Sequence, residues 1–329
     1  MNILVTGGAG YIGSHVVKML GEETSHNITI IDNLTTGFSE SVLAGELLVA
    51  DLSDTIMIEQ IFKKKKFDAV IHFAANIRVD ESVKIPVKYY LNNTVNAVNL
   101  IDLCVKYNVN KFIFSSTAAV YGDPEHVPVK EEEPKKPLSP YGMSKLMVER
   151  ILRDVSAAEN HFKYCILRYF NVAGANGSMK IGQRTPDATH LIKVACQAAL
   201  GLRENMSIFG TDYNTPDGTG VRDYIHVDDL SSAHLAALEY LGVNDSNIFN
   251  CGYGRGYSVR EVINTVKKVA GKDFKVLENG RRAGDSAKVV ADNSKILNMT
   301  AWNPKNADLE YICGTAFEWE KKMTSEQNN

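Results

Sequence analysis

Two residues that could carry acid–base chemistry, Tyr141 and Lys145, stand four positions apart at the start of a helical pattern. This spacing places both side chains on one face of a helix. A free phenol, with a pKa of about 10, is a poor base at neutral pH, but a neighbouring ammonium group favours the phenolate. The pair could therefore remove a hydroxyl proton while a hydride leaves the same carbon. Taken alone, the spacing is more typical of a solvated helix face.

A hydroxyl residue, Thr117, follows Phe114-Ser115-Ser116 at the end of a predicted strand. Open α/β sheets bind ligands at the carboxyl ends of their strands. Thr117 could therefore hydrogen-bond the reacting oxygen, and a buried threonine with an internal partner is the structural alternative.

The glycine-rich segment Gly7–Gly13 follows the first predicted strand and opens the first predicted helix. Glycines allow a tight turn and let a pyrophosphate approach the helix N-terminus, whose N–H groups and dipole favour anions. Asp32 ends the second predicted strand, where a carboxylate can accept hydrogen bonds from an adenosine ribose and repel the extra phosphate of NADP. Asp51, after the third strand, could act similarly. We predict NAD as the cofactor; a turn started by Asp32 is the alternative.

Short apolar runs alternate with amphipathic helical patterns along the first half of the chain. Parallel neighbours need crossover connections, so this alternation predicts an α/β fold with a doubly wound, Rossmann-like parallel sheet covered on both faces. The predicted strands are residues 3–5, 28–31, 47–49, 69–72, 111–115 and 164–168. The predicted helices are residues 12–20, 57–65, 93–107, 141–158, 189–201, 228–241 and 258–270.

The pattern changes beyond Asn171, because residues 174–188 and 210–223 are rich in Gly, Asn, Asp and Pro, as binding loops often are. We predict an NAD-binding domain over residues 1–171 and a smaller α/β substrate domain over residues 172–329. Some segments of the second part are expected to return to the first domain.

The 329 residues are 44% hydrophobic and 23% charged, a balance typical of a soluble globular enzyme. The 36 Lys and Arg against 39 Asp and Glu leave no electrostatic footprint for nucleic acid or an anionic membrane surface. Five scattered cysteines predict neither a disulfide framework nor a zinc site. Neither a signal peptide nor a membrane span is expected, so we predict a cytoplasmic protein.

We predict a structural role, and not a functional one, for three polar clusters. Lys63–Lys66 should complement the negative end of a helix dipole, and Glu131–Lys136 should form a solvated loop. In His226-Val227-Asp228-Asp229, an Asp should cap the following helix, and we predict no metal site there.

The sequence resembles the extended short-chain dehydrogenase/reductase family and, within it, the UDP-hexose 4-epimerases, over almost the whole chain. Most of the matching segments mark the superfamily, whereas Gly218–Val227 and Arg281–Asp285 are more specific to nucleotide-sugar epimerases. The matching segments are Gly7–Gly13, Asp32–Leu34, His72–Ala75, Phe114–Thr117, Tyr141–Lys145, Arg168–Asn171, Gly218–Val227 and Arg281–Asp285.

The resemblance implies an isomerase in which a large domain holds NAD and a smaller one holds a UDP-sugar. Asn171, Arg222 and Arg282 would contact the diphosphate and Asp285 the uridine ribose; Tyr224 lies in the same matched segment as Arg222. The implied cofactor-binding residues are Gly7, Gly10, Tyr11, Ile12, Gly13, Asp32, Asn33, Asp51, Leu52, Phe73, Ala74, Asn92, Ser115, Tyr141, Lys145 and Phe170. The implied substrate-binding residues are Thr117, Tyr141, Asn171, Arg222, Tyr224, Arg282, Asp285 and Val289.

The resemblance also implies a homodimer, in which the predicted helices Asn93–Tyr107 and Tyr141–Ala158 pair as a four-helix interface. The apolar stripes of these helices are equally compatible with packing on their own sheet.

The implied reaction inverts C4 of a UDP-hexose through a transient 4-keto sugar. Tyr141 would accept the 4-OH proton while C4 delivers a hydride to NAD, Thr117 would hydrogen-bond the oxygen, and Lys145 would bias Tyr141 and hold the nicotinamide ribose. The keto sugar would then present its other face, with UDP anchored, and regain the hydride. The alternatives are a non-catalytic NAD-binding regulatory protein and a nucleotide-sugar 4,6-dehydratase. Such dehydratases carry Asp-Glu after the active-site Thr, where this chain has Ala118-Ala119.

Val289 occupies a position where some similar epimerases carry a bulky Tyr. A smaller side chain leaves room for a 2-N-acetyl group, so we predict use of both the UDP-glucose and the UDP-N-acetylglucosamine series. Three residues depart from the family pattern. Ile77 replaces a Lys often found near the cofactor phosphates, His190 an Asn near the diphosphate, and Gly280 a Pro.

Overall fold

The structure, a computed structural model, describes residues 1–185, 189–282 and 285–327. The strands are β1 (Asn2–Thr6), β2 (Asn27–Asp32), β3 (Glu46–Val49), β4 (Ala69–His72), β5 (Lys111–Thr117), β6 (Lys163–Tyr169), β7 (Asn171–Ala173), β8 (Met206–Phe209), β9 (Val221–His226), β10 (Asn247–Cys251), β11 (Gly256–Ser258), β12 (Val276–Asn279) and β13 (Lys288–Val289). The helices are α1 (Tyr11–Glu23), α2 (Thr55–Lys64), α3 (Val79–Lys84), α4 (Pro86–Tyr89), α5 (Asn96–Lys106), α6 (Pro140–Ala158), α7 (Leu191–Ala199), α8 (Val227–Val243), α9 (Val259–Ala270), α10 (Ser294–Met299) and α11 (Leu309–Gln327).

Seven parallel strands form a large sheet in the order β10-β6-β5-β4-β1-β2-β3. All four residues of β4 are buried, as expected for a strand covered on both faces. Helices α1 and α8 cover one face, through side chains such as Val16 and Leu230. Helices α2, α5 and α6 cover the other, through Phe62, Leu100 and Val148. The predicted doubly wound, Rossmann-like fold is confirmed.

One edge strand of the large sheet comes from the far part of the sequence. After the chain has left this sheet, α8 returns to pack against α1, and β10 then pairs with β6. The sequence analysis did not predict β10, because Asn247–Cys251 contains two Asn residues among its apolar ones. The structure explains the second of them: the buried Asn250 accepts a hydrogen bond from Tyr121 Oη (2.6 Å) and donates one to the carbonyl of Val129 (2.8 Å).

The remaining strands form a smaller α/β unit together with three helices. Strand β9 pairs with β7 and β13 in parallel and with β11 antiparallel, and β8 pairs with β12. Helices α7, α9 and α11 pack together beside these strands around a core that includes Ile192, Val262 and Ile312. Strand β9 thus lies at the centre of the small unit, between β11 and β13, and leads directly into α8.

Two of the three polar clusters differ from expectation. Lys63 and Lys64 do lie in the last turn of α2. The segment Glu131–Lys136, however, is not simply solvated, because Glu131 and Glu133 are buried. Glu131 Oε1 accepts a hydrogen bond from the backbone N–H of Asn250 (2.8 Å), which ties this segment to β10.

The cap of α8 is also not the predicted Asp. His226 is the N-cap residue, and its Nδ1 accepts a hydrogen bond from the backbone N–H of Asp228. Asp229 instead accepts hydrogen bonds from Tyr253 Oη, from the backbone N–H groups of Lys305 and Asn306, and from the Asn306 side chain. A buried carboxylate therefore anchors the segment before α11.

The described residues contain no cluster of three His, Cys, Asp or Glu suited to a metal ion. Within the same residues, no helix has the length and apolarity to cross a membrane. All five cysteines are buried and unpaired.

Candidate active site

The turn between β1 and α1 forms a cradle that only glycine can line. Gly7 has φ +73°, and a Cβ on it would lie 2.6 Å from the backbone nitrogen of Ala74. A Cβ on Gly13 would lie 2.2 Å from the carbonyl oxygen of Gly7. Gly10 caps α1 without a side-chain hydrogen bond, so the N–H groups at Tyr11 and Ile12 begin the helix uncovered by any side chain. This cradle fits the pyrophosphate of a dinucleotide.

The carboxylates after β2 and β3 are held in place by their own hydrogen bonds. Asp32 accepts from the backbone N–H groups of Ala9 and Leu34, both at 2.9 Å. It therefore starts a turn and also holds the glycine segment, while its role toward a ribose stays a prediction. Asp51 accepts from Asn33 Nδ2 (2.7 Å) and Ser53, and these hydrogen bonds lower the pKa of Asp51. Each carboxylate keeps lone pairs for ribose hydroxyls. Leu52, beside Asp51, is buried.

The other predicted cofactor residues continue along the same edge of the sheet. The backbone N–H groups of Phe73 and Ala74, after β4, bond the carbonyl of Thr6. Asn92 donates to Asn93, which in turn bonds Ser144 of α6. The Ser115 hydroxyl bonds Tyr169, and the next residue, Phe170, is buried.

Three side chains with catalytic potential converge where β5 meets α6. Thr117 is the last residue of β5, and Tyr141 and Lys145 lie in the first two turns of α6, which Ser139 caps. Burial raises the pKa of Tyr141, and a hydrogen bond with Thr117 partly offsets that rise. Burial lowers the pKa of Lys145 to about 7, and its Nζ donates to the carbonyl of Ser115 (2.9 Å). The ammonium group is thus anchored on β5, one helical turn from the phenol.

Strand pairing brings the predicted substrate residues of the small unit together. Asn171 pairs with Tyr224, and Arg222 pairs with Val289. Asn171 and Tyr224 line a cavity that is also lined by His190. The Arg222 guanidinium donates to the carbonyl of Val221. Asn171 follows the end of β6 by two residues, so β7 begins at the carboxyl edge of the large sheet.

The Arg-Arg-x-Gly-Asp segment is described only in part, since Ala283 and Gly284 lie outside the described residues. The Arg282 guanidinium lies 3.6 Å from the centre of the Phe209 ring, and the N–H of Asp285 bonds the carbonyl of Arg282. Both side chains are exposed. Val289 packs against a buried cluster that contains Tyr121 and Phe170, so it adjoins the predicted cofactor site.

Sequence reasoning missed a buried ion pair behind the catalytic residues. Arg168 donates to both oxygens of Glu149 (2.9 and 2.6 Å), and neither side chain reaches solvent. Ser116 also donates to Glu149 (2.5 Å). Glu149 follows Tyr141 by eight residues on the same helix face, which was the available signal. Two neighbouring β5 residues therefore bond successive turns of α6, since Ser115 bonds Lys145 and Ser116 bonds Glu149.

The fold and the site together define a dinucleotide-dependent enzyme that acts on a hydroxyl-bearing carbon. The NAD dependent epimerase/dehydratase family matches residues 3–252. A UDP-glucose 4-epimerase of Azospirillum brasilense is 48% identical over 323 residues, which cover 98% of this chain and 92% of that one.

Solved structures agree. The UDP-Glc/GlcNAc 4-epimerase of Campylobacter jejuni is 55% identical with a TM-score of 0.87, covering 98% of this chain and 99% of that one. A UDP-glucose 4-epimerase of Stenotrophomonas maltophila, solved with NAD and formylated UDP-arabinopyranose, is 37% identical with a TM-score of 0.95, covering 99% of each chain. The chain belongs to the NAD dependent epimerase/dehydratase family and, within it, to the UDP-hexose 4-epimerases; NAD is its cofactor.

Proposed function

We propose that this enzyme inverts C4 of UDP-hexoses, interconverting UDP-glucose with UDP-galactose and UDP-N-acetylglucosamine with UDP-N-acetylgalactosamine. The observation that carries the proposal is the convergence of Thr117, Tyr141 and Lys145 at the sheet edge that also bears the glycine cradle. The similarity to an epimerase of both the UDP-Glc and the UDP-GlcNAc series supports the dual substrate range.

Each catalytic residue has one task in the proposed mechanism. Bound NAD supplies the hydride acceptor and, later, the hydride donor. Tyr141 accepts the proton of the 4-OH, Thr117 hydrogen-bonds the same oxygen, and Lys145 favours the phenolate. The 4-keto sugar then turns its other face to the cofactor site, C4 regains the hydride, and Tyr141 returns the proton to the oxygen. The net redox state is unchanged, so no second substrate is needed.

The small unit keeps the nucleotide fixed while the sugar turns. Asn171, Arg222 and Arg282 hold the diphosphate, because guanidinium and amide donors suit phosphate oxygens, and Asp285 accepts from the uridine ribose. Tyr224 lines the same cavity as Asn171. We propose that residues 1–171, together with the returning α8 and β10, form the NAD-binding domain, and that most of the remainder binds the UDP-sugar.

The experiment is incubation of the enzyme with UDP-galactose or UDP-N-acetylgalactosamine without added reductant. The 4-epimer is the expected product. A 4-keto-6-deoxy sugar would instead indicate the dehydratase alternative, which Ala118 and Ala119 disfavour because neither can act as acid or base. Bound NAD with no turnover of any UDP-sugar would indicate a regulatory protein.

We further propose a homodimer formed through the helical stretch from α4 to α5. A π-helical segment, Tyr90–Val95, joins these helices. Apolar side chains are exposed at Val87 (65%), Leu91 (56%), Val95 (45%) and Val98 (38%), a spacing of three or four that defines one helix face. A second copy would cover this stripe. A cytoplasmic location is supported by the five unpaired cysteines, since thiols persist in reducing compartments.

A further inference from the structure

A second, small cavity lies beside the glycine cradle. Its walls come from three separate parts of the chain. Gly10 and Tyr11 belong to the β1–α1 turn, Phe38 to the segment after β2, and Arg184 to the loop that follows β7. Tyr11 Oη donates to the carbonyl of Gly174 (2.6 Å), which holds that loop against the start of α1.

Arg184 is the one cation among the residues that line this cavity. Its guanidinium lies 4.0 Å from the centre of the Phe38 ring, so its plane has an aromatic support. Among the described residues, its ion-pair partner is the exposed Glu40, at a loose 3.7 Å. An ion pair of that length in solvent contributes little, which leaves the N–H donors available to a ligand.

The cavity carries a positive potential from a second source. The first turn of α1 contains no acidic residue, and its N-cap is a glycine without a side chain to satisfy the N–H groups. The helix dipole and the guanidinium therefore act on the same space.

We propose that Arg184 binds the pyrophosphate of NAD and closes the cofactor site from the substrate side. A diphosphate also occurs in the UDP-sugar, but the cavity is shared with Gly10 and Tyr11, whereas Asn171 and Tyr224 line the separate, larger cavity. Through Arg184, the loop that follows β7 thus holds the cofactor during both hydride transfers. Release of reduced cofactor between them would strand the keto sugar. The proposal rests on NAD as the cofactor and is independent of the sugar that is epimerised.

The test measures how fast the purified holoenzyme exchanges bound NAD for isotopically labelled NAD, followed by mass spectrometry at low and high salt. Arg184→Gln should accelerate exchange roughly tenfold or more, the effect of losing a charge-assisted hydrogen bond, and should weaken its salt dependence. Arg184→Lys should give an intermediate rate, because it keeps the charge without the planar fork. Arg203→Gln makes the same charge change at an exposed site outside the cavity and should exchange at the wild-type rate.

Two outcomes would overturn the proposal. Wild-type exchange in Arg184→Met would show that only the apolar stem on Phe38 matters. Unchanged exchange in Arg184→Gln with a weaker UDP affinity would assign the guanidinium to the substrate diphosphate. Exchange does not depend on turnover, so a failure of the epimerase assay would leave this result interpretable.

Discussion

At the scale of single residues, burial sets the main chemical problem of this site. It raises the pKa of Tyr141 and lowers the pKa of Lys145 to about 7, so it disfavours the charged form of both groups. A phenolate base therefore needs stabilising partners. The neighbouring Thr117 lowers the pKa of Tyr141 again, and the cationic ring of oxidised nicotinamide would act in the same direction. Proton removal is consequently tied to the presence of the oxidised cofactor.

Tyr141→Phe should retain NAD and lose most turnover, by roughly 10²- to 10⁴-fold, because only the proton acceptor is removed. The measurements are NAD content of the purified protein and the rate of UDP-galactose epimerisation. Near-normal activity in this variant would rule out Tyr141 as the base.

Val289→Tyr should impair UDP-N-acetylgalactosamine at least about tenfold more in kcat/KM than UDP-galactose, since one lost pocket contact or clash is worth that much discrimination. Val289 adjoins Phe170 and Tyr121, so a larger side chain would fill space beside the reacting sugar. Val289→Ala is the matched control and should keep both substrates. Equal effects of the Tyr variant on both sugars would contradict Val289 as the selective residue.

At the scale of elements, the register between β5 and α6 positions the catalytic groups. Thr117, Ser115 and Ser116 contact Tyr141, Lys145 and Glu149 in turn, and Arg168 of β6 completes the set. The buried, hydrogen-bonded pair of Arg168 and Glu149 therefore fixes β5 against α6, in addition to apolar packing.

Arg168→Met should lower the free energy of unfolding by about 3–5 kcal/mol, because Glu149 would remain as a buried charge without its partner. Adding Glu149→Leu should restore much of that loss. Urea unfolding of the NAD-bound protein measures both. Arg150→Met breaks an exposed pair with Asp154 and should cost no more than about 1 kcal/mol. Additive losses in the double variant would argue against a coupled pair.

The elements that could be predicted from the sequence were those whose own residues show a regular apolar spacing or a glycine turn. Six strands and the catalytic helix α6 were placed from apolar runs and helical spacing, and the glycine cradle from local turn geometry. Elements fixed by distant partners were missed. Asn250 of β10 is satisfied by Tyr121 and Val129, and Glu131 is buried because β10 supplies its donor. Polar residues with such partners resemble loop residues in sequence.

At the scale of the whole molecule, the site is formed by two structural units, the large sheet with its helices and the smaller α/β unit. The large sheet supplies the cradle and the catalytic residues, and the small unit supplies β7, β9 and the loop after β7. Contacts such as Tyr11 to Gly174 join the two parts across the site. The proposed dimer interface would include neither the glycine cradle nor the loops of the small unit, because the exposed stripe lies on α4, the π segment and α5.

Leu91→Glu should shift the protein from dimer to monomer, since it places a charge in the middle of the apolar stripe. Light scattering coupled to size-exclusion chromatography gives the mass directly. Leu202→Glu changes an equally exposed leucine outside the stripe and should leave the mass unaltered. A dimeric Leu91→Glu protein would place the interface elsewhere.

The late return of β10 also has a consequence for synthesis on the ribosome. β6 has no neighbour on one side until Asn247–Cys251 has emerged, so the cofactor-binding sheet is complete only after more than three quarters of the chain has been made. The 82 residues from the end of β6 to the end of β10 take roughly 4–16 s at about 5–20 residues per second. During this interval the nascent chain presents an open strand edge and the uncovered apolar face that α8 later fills, which is the state in which molecular chaperones would meet it.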